Sequence, residues 1–295
     1  MAEYRKHWLI NSLGERHDFT EQEVKTFLYQ PRGFGFRRQY STMIVGNSEL
    51  LTSEQYVLTD ITGDLLFYES GNGAKYQSYQ DFIQFCKYTP LEFHYQTPNK
   101  LESYHCDVIF AQADKGEIDA SDKILHVAVT FHRLTEWLTD ESRTYAMNND
   151  PLGDGKFYDY EYDYSYAGTG LSGTPIYNNG TDDVGFVLKI EGEVQNPQFT
   201  LTQGGEVYVI CKINGTYDFV MVNSIERTES MYLERNGSSI TNPEQYQDFT
   251  IANGQSYLTW IKLRVGESIF GFTCGNIDTF TGTVTLQFKE SYVSV

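Results

Sequence analysis

Histidines are the side chains in this sequence best suited to bind a metal or move a proton. His126 and His132 share one expected strand, where period 2 places them on one face but roughly 20 Å apart, too far for one metal ion. His94 and His105 fall on neighbouring expected strands, so a pair across the sheet is open to them. Structural or surface roles are nevertheless favoured for all six: His7, His17, His94, His105, His126 and His132.

Forty carboxylates allow a glycosidase pair, but no spacing identifies one. Glu191 and Glu193 flank Gly192, so alternation points them the same way, and solvated strand-end charges explain them better than catalysis. Motifs for nucleophiles, phosphate loops, zinc proteases and EF-hands are missing, and GFGFRR (33–38) has no dinucleotide-binding spacing. The sequence therefore predicts no enzyme, and no catalytic, cofactor-binding or metal-binding residue.

Aromatic side chains suggest a second kind of chemistry, stacking on sugar rings. Residues 157–166 read FYDYEYDYSY, with Tyr at every even position and carboxylates at 159, 161 and 163. These carboxylates are about 6.6 Å apart along a strand, too far for one metal ion without further ligands. With Trp260 the tyrosines support an alternative function, a lectin-like module that recognises host cell-wall saccharide. The favoured interpretation is a connector strand between two domains.

The net charge of −18 is shared by both halves: 14 basic against 22 acidic residues in 1–150 give −8, and the remaining 8 against 18 give −10. No basic patch offers a phosphate-tracking groove, so specific nucleic-acid binding is not expected. The charge is also compatible with an acidic wall past which DNA slides without binding. The four cysteines form no CxxC pair and are expected to be buried free thiols: Cys86, Cys106, Cys211 and Cys274.

No apolar run approaches the roughly 18–20 residues of a membrane helix, and the N-terminal residues lack the apolar segment of a secretory signal. Membrane insertion is not expected. The chain is expected to be made and kept in a cytoplasm, or released by lysis.

Strand signals dominate, with 23 Tyr, 19 Phe and only 7 Pro. In the second half, four Asn-Gly pairs at 179, 214, 236 and 253 mark turns, and the pattern predicts a sandwich. Its expected strands are 184–192, 197–202, 207–213, 218–224, 230–235, 256–266, 269–274 and 282–291. In the first half they are 41–46, 54–61, 65–70, 91–97, 102–116 and 123–135.

One amphipathic helix is predicted at residues 78–88, from a capping box at Ser78 and an apolar face of Tyr79, Phe82, Ile83 and Cys86. A second box, Thr20 to Glu23, precedes Val24, Phe27 and Leu28 and suggests that a short helix starts there. Segment 139–156 is polar and breaks the strand pattern, so the predicted domains are residues 1–150 and 151–295.

The order of these features resembles the distal tail proteins of siphophages, the baseplate hub family. The resemblance lies in GFGF (33–36), the YQSYQDFIQFCKY helix, FHRLTEWL (131–138), the tyrosine-rich connector, and the "I-x-G-x-x-x-NP" element at Ile190, Gly192, Asn196 and Pro197. It spans nearly the whole chain.

The resemblance implies a tail-tube-like N-terminal β-sandwich or split barrel with one helix, and a galectin-like C-terminal β-sandwich. It implies a virion structural protein, assembled in the host cytoplasm, whose hexameric ring joins the tail tube to the tail tip of the virion and lets DNA pass. The implied partners are further copies of the chain, the major tail-tube, tape-measure and tail-tip or tail-associated proteins, and a receptor-binding protein.

Overall fold

The structure is a computed structural model that describes residues 5–19, 26–68, 72–97, 102–118, 123–148, 172–225, 228–241, 249–251 and 261–295. The chain divides into two compact units. The first unit comprises Met1–Glu141 with Ser291–Val295, and the second comprises Ser142–Glu290. Strands dominate both units, which confirms the predicted mainly β fold with one α-helix.

Within its described residues, the first unit contains one helix, α1 (Asn72–Phe85), and ten strands before the chain enters the second unit. These strands are β1 (Lys6–Ile10), β2 (Arg16–Asp18), β3 (Thr26–Arg32), β4 (Phe36–Val45), β5 (Ser48–Leu58), β6 (Ile61–Phe67), β7 (Leu91–Gln96), β8 (Ser103–Lys115), β9 (Leu125–Arg133) and β10 (Trp137–Thr139).

The second unit contains β11 (Arg143–Asn148), β12 (Ser172–Asn178), β13 (Val187–Gln195), β14 (Gln198–Gln203), β15 (Glu206–Ile213), β16 (Thr216–Asn223), β17 (Ser230–Arg235), β18 (Ser238–Thr241), β19 (Phe249–Ile251), β20 (Gly266–Thr273) and β21 (Thr283–Phe288). The last strand, β22 (Ser291–Tyr292), belongs to the first unit.

A nine-stranded antiparallel sheet forms most of the first unit, in the order β2-β1-β7-β8-β9-β6-β3, with β10 paired to β8 and β22 paired to β10. Strand β9 shows why these residues form a sheet with one covered face. Its side chains from Leu125 to Arg133 alternate between buried and more exposed positions, as period 2 requires. Apolar side chains of the covered face and of α1 form one core.

Helix α1 starts six residues earlier than predicted and ends three residues earlier. Its predicted apolar face is confirmed, because Phe82 and Cys86 are buried and Tyr79 and Ile83 pack against the same core. Asp81 does not close a capping box; its carboxylate accepts a hydrogen bond of 2.8 Å from Gln77, one helical turn away. Pro90 lies shortly after the end, where its ring opposes continuation of the helix.

The second helix suggested by Thr20 and Glu23 is wrong where the structure describes it. Residues 20–25 lie outside the described residues, and Phe27 and Leu28 belong to β3. There they alternate between exposed and buried positions and pair with Leu66 and Leu65 of β6. Pairing with a neighbouring strand overrides the local helical signal.

Two sheets form the second unit, in the orders β11-β21-β13-β16-β17-β18 and β12-β20-β14-β15-β19. Side chains from both sheets, such as Leu188 and Val220 from one and Phe199 and Phe270 from the other, share a single core. The unit is therefore a two-layer β-sandwich, as predicted. Its galectin-like character stays a prediction.

Turn chemistry explains part of the connectivity. Asn236 and Gly237 link β17 to β18 with φ of 51° and 71°, the left-handed pair of a two-residue hairpin turn. Asn214 and Gly215 instead connect β15 to β16, which belong to different sheets. Residues 256–260 of the predicted strand 256–266 lie outside the described residues. Its described part makes one isolated bridge, Val184 to Leu263, and its last residue, Gly266, starts β20.

The division between the units differs from the predicted domains 1–150 and 151–295 in two places. It follows Glu141, because residues 143–148, expected to be irregular, pair with β21 as β11. In addition, Ser291–Val295 return to the first unit. The connector FYDYEYDYSY lies outside the described residues.

Candidate assembly surface

The GFGF segment forms a hydrogen-bonded base from which β4 leaves the sheet. Gly33 has φ of 95°, and a Cβ on this residue would overlap the backbone carbonyl of Asp60. Only glycine fits this position, because the backbone is left-handed and another chain segment touches it. The hydroxyl of Thr59 donates to the carbonyls of Gly33 and Gly35 at 2.9 and 2.8 Å.

Buried side chains hold the same base from the other side. The indole of Trp137 donates to the carbonyl of Phe34 at 3.1 Å, and the Arg133 guanidinium donates to the carbonyl of Gly35 at 2.9 Å. The Phe34 ring stacks on Tyr95 and Trp137 with centroid distances of 5.0 and 5.7 Å. The motif noted in the sequence is thus an anchor for the strand that follows it.

Strands β4 and β5 form a separate two-stranded sheet, here called the exposed hairpin (residues 36–58). A two-residue turn of Gly46 and Asn47 joins them, with φ of 64° at Gly46. Every residue of β4 is exposed. The expected strands 41–46 and 54–61 are parts of this one hairpin.

The exposed hairpin is rich in apolar side chains that the described residues leave uncovered. It holds eight of the nineteen large hydrophobic side chains that are exposed among the described residues: Phe36, Tyr40, Met43, Ile44, Val45, Leu50, Leu51 and Tyr56. Ile44 is 76 % exposed and Tyr40 is 64 % exposed. A concentration of this kind on one element marks an interaction surface rather than scattered surface residues.

The tip of the exposed hairpin is apolar on both of its faces. Met43 is opposite Leu50 on one face, and a bulge between Ser41 and Thr42 brings Leu51 opposite Thr42 on the other. Ile44 lies on the same face as Thr42, two residues further along the strand. Isolated two-stranded hairpins are marginally stable in water, so this element gains stability when a partner covers it.

The sequence did not identify this surface, although its signal is visible afterwards. Met43, Ile44 and Val45 form a continuous apolar run instead of alternating with polar residues, and so do Leu50 and Leu51. A strand that is apolar on both faces is covered on both faces. The local sequence does not show whether the surface that covers the strand belongs to the same chain or to another.

Two of the predicted histidines do meet. His94 on β7 and His105 on β8 are direct cross-strand partners, which confirms the predicted pair, and their rings stack 5.3 Å apart. Asp140, just after β10, lies between them, with its Oδ1 at 2.6 Å from His105 Nδ1 and 3.3 Å from His94 Nδ1. Ser103 also donates to Asp140.

Electrostatics of this group favour charge on both partners. Burial raises the pKa of Asp140, but the hydrogen bonds with His105 and Ser103 and the close contact with His94 outweigh it and hold that pKa well below its usual range. Burial lowers the pKa of His94, but Asp140 and Glu92 outweigh it and raise that pKa.

The other candidate residues do not gather into a site within the described residues. His126 and His132 are both exposed on β9, as alternation predicts, and His132 pairs with Asp60 at 2.8 Å. Glu191 and Glu193 are exposed beside a bulge in β13. Trp260 and the tyrosines of 157–166 lie outside the described residues, so saccharide binding stays a prediction.

All four cysteines are buried free thiols, which confirms the expectation. Burial raises the pKa of Cys106 to about 12 and raises those of the other three thiols too, which disfavours the reactive thiolate. Within the described residues, no helix combines the length and apolar character that crossing a membrane requires.

Comparison with protein families finds a match within the first unit. Residues 6–134 match the model of the distal tail protein, N-terminal domain. This range includes the GFGF base, the exposed hairpin, α1 and the strands that carry His94 and His105. No protein in the curated collection matches the chain.

Solved structures match the fold along almost the whole chain. The phage P2 baseplate in its activated conformation with Ca contains a chain that is 13 % identical, with a TM-score of 0.56 and 99 % of each chain covered. The SPP1 Dit protein, described as a paradigm of the hub adsorption apparatus in phages that infect Gram-positive bacteria, is 12 % identical, with a TM-score of 0.62. That match covers 96 % of this chain and 98 % of the SPP1 protein.

The family match covers the first unit, and the fold match extends through the second. The sequence features noted above, from GFGF to the Asn-Pro element, occur in the order expected of the same family. Residues 6–134 therefore match the distal tail protein family, and the fold of the whole chain is similar to that of the phage P2 baseplate chain and the SPP1 Dit protein.

Proposed function

We propose that this baseplate hub protein acts as a homohexameric ring that joins the tail tube to the tail tip and leaves a central opening for DNA. The observation that carries the proposal is the exposed hairpin, an apolar element on a hydrogen-bonded base and outside the core of the first unit. Its proposed occupant is a second copy of this chain. Contacts of one surface with a different surface of the next copy close into a ring when the rotation between copies divides the circle.

Charge favours this occupant. The whole chain carries −18, whereas residues 36–58 hold two Arg and two Glu and are therefore neutral. Two acidic copies repel each other least where one of them presents a neutral apolar element. Because the tip of the exposed hairpin is apolar on both faces, insertion between two surfaces suits it better than packing against one flat surface.

The acidic charge of both halves supports the proposed passage of DNA. A wall of carboxylates repels phosphates and gives them no cation to bind, so DNA moves past without being held. We propose the major tail-tube protein, the tape-measure protein, the tail-tip or tail-associated protein and a receptor-binding protein as neighbours of the ring. Assembly in the host cytoplasm belongs to the same proposal.

The test compares wild-type protein with the double variant Ile44→Asp and Leu51→Asp. Negative-stain microscopy and light scattering should show six-fold particles with a central hole for the wild type, alone or with the tail-tube protein. The double variant should stay monomeric with an unchanged melting temperature, because both side chains are more than half exposed. Introducing charge into a buried apolar contact costs several kcal/mol per residue.

The matched control is Leu13→Asp, which adds the same charge at a side chain that is 60 % exposed in a turn outside the hairpin. This variant should form rings as the wild type does. A wild-type protein that stays monomeric at high concentration, even beside its tube partner, would contradict the ring. Rings formed by the double variant would remove the hairpin from the interface.

A further inference from the structure

Three elements bring metal-binding side chains together near the end of β7 and the start of β8, two interior strands of the nine-stranded sheet. His94 comes from β7, His105 from β8 and Asp140 from the residue after β10. One donor atom from each lies within 4.8 Å of the others. Among the residues that the structure describes, this is the one group of three such side chains that meets this condition.

The hydrogen bond of His94 to Glu92 determines which ring nitrogen faces the group. Nε2 of His94 lies 3.2 Å from a Glu92 carboxylate oxygen, and a carboxylate only accepts, so Nε2 carries a proton. In the neutral ring Nδ1 then holds a lone pair. Nδ1 lies 3.3 Å from the Asp140 oxygen and makes no hydrogen bond in the described structure. A lone pair and an anionic oxygen at this distance repel each other unless a proton or a metal ion lies between them.

A carboxylate on the far nitrogen is also the arrangement that surrounds histidines bound to zinc. Such an outer carboxylate orients the ring and makes its other nitrogen a better donor. Glu92 supplies this outer carboxylate here. Because its side chain is 46 % exposed, water can solvate its charge, and the carboxylate does not depend on His94 as a partner. The sequence Glu-Phe-His places both side chains on one face of β7.

Distances suit a small transition-metal ion with nitrogen and oxygen ligands. Bonds of about 2.0–2.1 Å in a tetrahedron separate neighbouring donor atoms by about 3.3 Å. His94 Nδ1 and the Asp140 oxygen are already 3.3 Å apart. His105 Nδ1 and the same oxygen, at 2.6 Å, need to separate by less than 1 Å.

Packing holds the histidines in place before any ion arrives. The His94 ring lies between Trp8, stacked at 5.0 Å, and His105, stacked at 5.3 Å. Both histidines are buried, at 6 % and 8 % exposure. Asp140 is positioned by β10, whose Leu138 and Thr139 pair with His105 and Tyr104 of β8.

We infer that His94, His105 and Asp140 bind one divalent transition-metal ion, with Zn²⁺ the best fit to two imidazoles and a carboxylate. The ion fastens the segment after β10 to β7 and β8, one residue before the end of the first unit. Its role is structural: it replaces the proton that otherwise separates His94 from Asp140, and it releases that proton on binding.

Calorimetry with Zn²⁺ alone tests the site on full-length untagged protein that has been stripped with EDTA. We expect one ion per chain with a Kd of about 1 µM or tighter, and a rise in Tm of about 5 °C at a hundredfold excess of ion over Kd. His94→Gln and Asp140→Asn should each weaken binding at least tenfold. The visible spectrum of Co²⁺ should report nitrogen and oxygen ligands in the wild type only.

His132→Gln is the matched control, because His132 also contacts an aspartate, Asp60 just before β6, but has no second histidine beside it. It should bind Zn²⁺ as the wild type does. Glu92→Gln leaves all three ligands intact and should weaken binding of Zn²⁺ about tenfold. This variant tests the site if a ligand variant fails to fold in EDTA. Absence of stoichiometric binding, or binding unchanged in His94→Gln, Asp140→Asn and Glu92→Gln, would overturn the site and leave a proton between His94 and Asp140.

Discussion

His17 shows how one partly buried side chain contributes to the response of this protein to acid. Its ring lies among Phe19, Phe82 and Phe85, at centroid distances of 5.3, 5.1 and 5.6 Å. Burial lowers the pKa of His17 to about 4, although the nearby Asp18 acts in the opposite direction. In the unfolded chain the pKa is about 6.5, so acidification protonates the unfolded state first.

The stability that the neutral ring contributes is therefore present above about pH 6.5 and is lost as the pH falls towards 4. When the pH falls from about 7.5 to about 5, the unfolding free energy of the wild type should fall by about 2 kcal/mol more than that of His17→Phe. Urea denaturation of both proteins at the two pH values measures this difference. Between about pH 7.5 and 8.5 the two curves should run parallel, and an equal loss on acidification in both proteins would contradict the assignment.

At the scale of elements, the exposed hairpin is separable from the sheet that carries it. Among the described residues, its two strands pair only with each other, and the GFGF base is held by Trp137, Arg133 and Thr59 from the sheet side. The core of the first unit contains no residue of β4 or β5. The hairpin can therefore evolve with its partner while the core stays constant.

This separation predicts the result of a deletion. Arg38 and Tyr56 are direct partners across the hairpin, so Asn-Gly can replace residues 39–55 and close a two-residue turn. The shortened protein should keep its fold, with a change in unfolding free energy below about 1 kcal/mol, and should form no rings. Circular dichroism and light scattering measure the two properties. Loss of the cooperative transition would show that the hairpin supports the core after all.

At the scale of the whole molecule, the chain ends in the unit where it began. Strand β22 pairs with β10, placing Tyr292 opposite Trp137, and the Tyr292 ring packs edge-on against Tyr104 at 5.4 Å. Ser291 donates to Glu136 at 2.6 Å, and the Val295 backbone amide donates to the Phe34 carbonyl. The last residues thus complete the first unit.

Removal of residues 291–295 should destabilise the first unit by about 2–3 kcal/mol, because it uncovers an aromatic contact and one edge of β10. Hydrogen exchange should show faster opening of β8 and β10, with β13 and β16 of the second unit unchanged. Ser294→Ala, a change at an exposed side chain, is the control and should exchange as the wild type does. Uniform protection in the truncated protein would rule out this role.

The sequence by itself determined the features that depend on local periodicity and turn chemistry. The face of α1 at Tyr79, Phe82, Ile83 and Cys86, the alternation of β9 and the turn at Asn236-Gly237 all follow from residues close together in the chain. The pairing of His94 with His105 was also within reach, because two neighbouring strands needed only the correct register.

Only the tertiary structure decided which surfaces are covered and which distant residues meet. Asp140 joins the two histidines because β10 pairs with β8 across about 35 residues, and Ser291–Val295 return to the first unit across the entire second one. The exposed hairpin has the same strand-forming residues as buried strands elsewhere. Strand formation is a local property, whereas burial depends on what the rest of the fold, or another chain, brings against the strand.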